Sequence, residues 1–169
     1  LTTNLGGTFT VTVTDNLGCT DTESITVTAL PLPQPQINGS QDICAGAEAT
    51  FGTGQPFNVY AWSTGSNAPE ISVSVAGIYT ITVTDANGCT GISDVTLTVH
   101  QNPAPALMEA PYACDGQVTL NASGGFSTYN WTGPNGFVET AQSVSAVASG
   151  VYSVTVTDMN GCSASVEQL

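Results

Sequence analysis

The nine residues ITVTDANGC, Ile81 to Cys89, recur as VTVTDNLGC from Val11 to Cys19 and as VTVTDMNGC from Val154 to Cys162. In the middle copy Tyr79, Ile81 and Val83 fall on one face and Thr80, Thr82 and Thr84 on the other, the period of a strand with one side buried. Threonine suits the outer face because its branched Cβ favours the pleated conformation while its hydroxyl meets water. The Asp and Asn-Gly that follow are turn residues: they tolerate positive φ, and the carboxylate can accept hydrogen bonds from its own turn backbone. The phrase therefore reads as strand, hairpin turn and the start of a second strand.

Its spacing sets the organisation of the chain. Cys19 to Cys89 is 70 residues and Cys89 to Cys162 is 73; Cys44 to Cys114 (70) and Trp62 to Trp131 (69) keep the same step. A period of this size in 169 residues predicts a tandem array of small domains rather than one large core. We divide it into a partial repeat over residues 1–29 holding closing strands only, a complete repeat over 30–100, and a repeat over 101–169 truncated in its last strand. That division predicts a segment of a longer polypeptide. The proline-rich stretches ALPLPQPQI (Ala29 to Ile37) and HQNPAPAL (His100 to Leu107) are expected to run extended and hold successive domains in line.

Composition narrows the function. There is no Lys or Arg against 13 Asp and Glu, a formal net charge of -13, and only 8% of residues are charged where a soluble domain carries roughly 25%. Binding to nucleic acid or to an anionic membrane needs cationic side chains opposite phosphate, so the charge argues against both partners, and no direct membrane insertion is expected. Stability must come from burial, backbone hydrogen bonds, disulfides or a divalent cation.

Alternation also marks SITVTAL (24–30), ISVSV (71–75) and VTLTV (95–99), with shorter strands at EATF, NVYAW, QVTLNA and TYNW, and no window carries a helical stripe. Short strands separated by Gly, Asn, Pro and Ser clusters predict an all-β fold, a tandem array of small Ig-like β-sandwich domains. The G-x-Y entries at Gly77–Tyr79 and Gly150–Tyr152 match a tyrosine corner, whose phenol ties back to the preceding connection; Phe9 stands there in the first copy and has no hydroxyl to offer.

Three sets of residues invite functional readings. Asp15, Asp85 and Asp158 are candidate calcium ligands at the domain ends, with Asp21 or Asp94 nearby; the alternative is plain turn chemistry. No cofactor other than calcium is expected. Tyr60 with Trp62 and Tyr129 with Trp131 could stack on sugar rings, but each pair lies in the third strand, where a sandwich plants its core tryptophan, and we expect core packing there as for Tyr79 and Tyr152. His100 stands alone at a domain exit and reads as a linker residue. Apart from His100 at its exit the repeats contain no histidine, and they contain no Cys-x-x-Cys, no lysine and no acid pair placed for glycoside hydrolysis, so no enzymatic activity is expected.

The stretch CAGAEATFGTGQPFNVYAWSTGSNAPEISVSVAGIYTITVTDANGC is similar to the Ig-like and PKD-like repeats of very large secreted surface proteins of Bacteroidota, gliding-motility adhesins among them. The motifs C-x-G before a strand, Y-x-W-S-x-G and G-x-Y-x-V-x-V-T-D-x-N-G-C carry the resemblance; the last repeat departs from it with CDG at Cys114 and YNWTGPNG after its third strand. The resemblance implies type IX secretion, an extracellular, cell-surface location, and service as a structural filament or giant adhesin in attachment, gliding or cell capture. Its partners would be like repeats of the same long chain, or identical chains in a filament bundle. A carbohydrate-binding accessory module of a secreted hydrolase is the rival reading.

Five cysteines at repeat positions agree with an oxidising compartment. One pairing puts a bridge in each repeat, Cys44 with Cys89 and Cys114 with Cys162. Ig-like topology favours another. The turn before Cys89 lies at the end where the chain enters its domain and Cys44 at the end where it leaves, on the order of 20 Å away, whereas a disulfide needs Cα atoms within roughly 7 Å. In a head-to-tail array Cys44 instead meets Cys162 of the next repeat, and Cys19 pairs outside this segment.

Overall fold

A computed structural model describes residues 5–109 and 117–168; Cys114 lies outside them. The first repeat is an antiparallel hairpin of β1 (Gly7–Thr14) and β2 (Thr20–Val27), with Phe9 opposite Ile25 and Val13 opposite Asp21. On its outer face the hydroxyls pair across the strands, Thr8 with Thr26 at 3.1 Å, Thr10 with Ser24 at 2.9 Å and Thr12 with Thr22 at 3.2 Å. This is the cross-strand matching that favours threonine on a wet sheet face. On the other face Val11, Val13 and Ile25 are exposed.

The middle repeat contains β3 (Asp42–Cys44), β4 (Ala49–Gly52), β5 (Val59–Trp62), β6 (Glu70–Val73), β7 (Gly77–Thr84) and β8 (Thr90–His100). One sheet has the order β3-β8-β7-β5; β4 and β6 form the other, extended by a bridge from Asn38 to Gly52. Phe51, Trp62, Ile81, Val83 and Leu97 fill the space between them. The side chains alternate as the sequence dictates: Ile81 and Val83 are fully buried while the intervening threonines face outward and are only half-buried.

The last repeat contains β9 (Leu107–Glu109), β10 (Val118–Ala122), β11 (Thr128–Gly133), β12 (Phe137–Glu139), β13 (Ser143–Ala146), β14 (Tyr152–Thr157) and β15 (Ser163–Gln168). Its sheets are β13-β10-β9 and β12-β11-β14-β15, closed over Leu120, Trp131, Val144, Val154 and Val156. Both units are all-β sandwiches of two sheets. They differ after the third strand. In the middle repeat β5 ends in a tight turn in which Gly65 N donates to Trp62 O at 2.9 Å. In the last, Pro134–Gly136 form a short 3₁₀ turn and β12 folds back along β11, Trp131 opposite Glu139. These added residues lengthen the step from 69 between the tryptophans to 73 between the following cysteines.

The tyrosine corner forms in both sandwiches. Tyr79 Oη donates to Val75 O at 2.6 Å and Tyr152 Oη to Ala148 O at 3.0 Å. Tyr152 is buried, its ring edge-on to Phe137. Tyr152→Phe is expected to cost about 1 kcal/mol, the net contribution of one such bond, measured by denaturant titration.

Candidate functional site at the junction between sandwiches

Each repeated turn is built the same way. Asp85 Oδ1 accepts from the backbone N–H of Asn87 at 2.8 Å and of Cys89 at 2.9 Å, and Asp85 N donates to Cys89 O at 2.9 Å. Asp15 holds Leu17 and Cys19 at 2.8 and 2.9 Å, and Asp158 holds Asn160 and Cys162 at 2.9 Å each. Gly18, Gly88 and Gly161 close the three turns at φ of 86°, 81° and 82°. That is left-handed backbone, which a side chain would strain. The asparagine before two of these glycines does not share the positive φ; Asn135 is the one non-glycine residue that has it among the described residues. Two backbone donors on one carboxylate oxygen make each aspartate the brace of its hairpin. Asp21 Oδ1 accepts from Thr22 N at 2.9 Å, and Asp94 lies opposite Thr80. Among the described residues no group of three or more His, Cys, Asp or Glu side chains is placed to hold a metal ion.

The brace sets the direction of the cysteine that follows it. Cys162 is fully buried and is joined to Cys44, with the Cα atoms 5.5 Å apart across 118 residues. Of the two pairings open in the sequence, the structure therefore has the one that links neighbouring repeats. Topology brings the pair together. β3 lies parallel to β8 with Cys44 opposite His100, and Ala45 N donates to His100 O at 2.8 Å, so Cys44 stands where the chain leaves the middle sandwich. In the last sandwich Thr128 is opposite Thr157. The β14–β15 turn therefore sits beside the end of β10, where the chain arrives. Residues 101–106 cross between, held by Asn102 Nδ2 donating to Ala45 O at 3.0 Å and by Ser123 N donating to Ala106 O at 2.8 Å. Ser123 Oγ accepts from Ala106 N at 3.0 Å.

His100 is neither alone nor in a linker, which corrects the sequence reading. It is the last residue of β8, and its Nε2 lies 2.9 Å from Asp42 Oδ1. A parallel strand 58 residues upstream supplies the partner, a non-local pairing that the local pattern around His100 does not announce.

The tryptophans are interior. Trp62 and Trp131 are 4% and 0% exposed, and their Nε1 groups donate to Ala68 O at 3.0 Å and Ala141 O at 2.8 Å. Tyr60 and Tyr129 are half-buried beside them; Tyr60 Oη accepts from Phe57 N at 2.8 Å and Tyr129 Oη donates to Ser123 O at 3.3 Å. The pairs expected to be core are packed with their polar atoms satisfied, and neither indole offers a face for stacking. Among the described residues no helix is long and apolar enough to cross a membrane.

The chain matches no protein-family model and no curated protein sequence. Among solved structures it is similar to a "Ca2+-stabilized adhesin" that "helps an Antarctic bacterium reach out and bind ice", at 16% identity and a TM-score of 0.42, over 95% of this chain and 55% of that one. It is also similar to a "1.5-MDa bacterial ice-binding adhesin", at 15% identity and a TM-score of 0.38, over 94% of this chain and 70% of that one. A third is the Bacteroides ovatus mixed-linkage glucan utilization locus SGBP-B in complex with a mixed-linkage heptasaccharide, at 15% identity and a TM-score of 0.27, over 96% of this chain and 52% of that one. The chain thus spans about half the length of the first of these. Likeness at this level assigns no function.

Proposed function

We propose that the chain is a structural segment of an extracellular array of Ig-like repeats, a spacer in a giant surface adhesin or filament with no catalytic role. The disulfide between Cys44 of one sandwich and Cys162 of the next carries this reading. A bridge between repeats fixes their relative orientation, which serves a rigid spacer and serves a free-standing module nothing. The absence of Lys and Arg in 169 residues supports it, since the faces carry no cationic groups for a polyanionic ligand. Burial of both tryptophans speaks against the rival glycan-binding module. Bacteroidota origin, type IX export and service in attachment, gliding or cell capture belong to this reading through the resemblance of the repeated motifs. Electron microscopy of the secreted protein is the test. Straight, beaded rods with a repeat-sized spacing are the expected result; compact particles, or a single catalytic body flanked by these repeats, would overturn it.

A further inference from the structure

We propose that Cys89 is the receiving half of a second staple: it takes the thiol of a cysteine standing, like Cys44, at the exit end of an Ig-like repeat packed before the middle sandwich. The molecule already holds one completed copy of this site. Cys162 and Cys89 follow the same braced turn, each with its N–H 2.9 Å from the Oδ1 of the aspartate four residues earlier. Each immediately precedes the strand after that turn, with Thr84 opposite Thr90 and Thr157 opposite Ser163 as the last pairs of the two hairpins. Cys162 is bonded to the repeat before it, while Cys89 is a half-buried free thiol.

A second observation places the approaching repeat. A Cβ on Gly91, two residues past Cys89, would lie 1.9 Å from Pro33 O. The connector into the middle sandwich therefore runs directly over the entry end beside Cys89, as residues 101–106 run beside Cys162. That route would bring the repeat before residue 30 to the side of the middle sandwich on which the free thiol stands. Cys19, at the equivalent turn of the first repeat, is an exposed thiol of the same kind.

The bond forms by exchange with a low-molecular-weight disulfide. One protein thiolate attacks it and releases one small thiol, then the second protein thiolate attacks the mixed disulfide and releases the other. Two protein thiols are oxidised and one small disulfide is reduced to two thiols, so electrons and protons balance. The source of the incoming cysteine is a preceding repeat of the same polypeptide or a repeat of a second copy.

The test inserts a second copy of residues 30–100 between residues 100 and 101 of the full chain, with Cys89→Ser in the first copy. This sets Cys44 of the first copy before Cys89 of the second at close to the 118-residue separation of the existing bridge. After oxidation with oxidised glutathione, non-reducing peptide mapping is expected to show two bridges at full occupancy, Cys44 to Cys89 and Cys44 to Cys162. A concentration-independent yield assigns the link to one polypeptide; dimers growing with concentration assign it to a second copy. Cys89 alkylated without reductant, or joined to Cys44 while Cys162 is left free, overturns the proposal. A parallel insertion with Cys89→Ala in the first copy gives the same reading should the serine variant misfold.

Discussion

Trp131→Ala is expected to destabilise the last sandwich by about 3–5 kcal/mol, the range for removing a large aromatic from a packed core. The side chain is completely buried between the two sheets, among Leu120, Val144, Val154 and Val156. Its loss leaves a cavity lined by β-branched and aliphatic groups whose strands are pinned by ladders on both sides, so collapse is limited. It also removes the hydrogen bond that the indole N–H now makes to Ala141 O. Since whole domains have only about 5–15 kcal/mol to lose, the variant is expected to melt far below the parent in circular dichroism. A melting temperature within a few degrees of the parent would show that the indole is not core. Trp62→Ala is expected to act likewise on the middle sandwich.

The second large effect is expected from breaking the bridge. Replacing Cys44 and Cys162 by Ser removes a cross-link that closes a loop of 118 residues, for which chain entropy alone gives about 4–5 kcal/mol. With the bridge in place, unfolding either sandwich leaves its chain tethered to the other. Without it, what joins the two among the described residues is the connector 101–106 with its hydrogen bonds to Ala45 and Ser123. Guanidinium titration of parent and double variant is expected to show a lowered midpoint and two separable transitions. Coincident curves, with and without reductant, would mean that the bridge adds nothing to the folded state.

Much of this was readable from residue types. Alternation located β7, β8 and β14 because a strand with one wet face writes its period into the sequence. The aspartate, glycine and cysteine of the repeated phrase described a turn whose hydrogen bonds are short-range and therefore local in sequence. What escaped was non-local. β3 has three residues, too few for a period, and its parallel partner β8 is found only by tertiary packing, so the contact of His100 with Asp42 could not be anticipated. The added strand β12 is equally short, and YNWTGPNG signalled a longer connection without showing that it would pair with β11. Strand ends were off by a few residues: SITVTAL suggested 24–30, while β2 is Thr20–Val27, because its pairing with β1 begins directly at the turn.

The position of the bridge also decides what tension on the chain would feel. A force pulling the two ends apart runs along the chain to Cys44, crosses the sulfur atoms to Cys162 and leaves through β15, so β4 to β14 lie on a slack bypass. Sandwiches in series normally yield length one after another as each is pulled open; here the hidden length, on the order of 400 Å for 118 extended residues, cannot be drawn out while the bond holds. The strength of this stretch under tension is then set by a covalent bond rather than by hydrogen-bonded sheets, and the sandwiches serve as rigid struts around an inextensible cable.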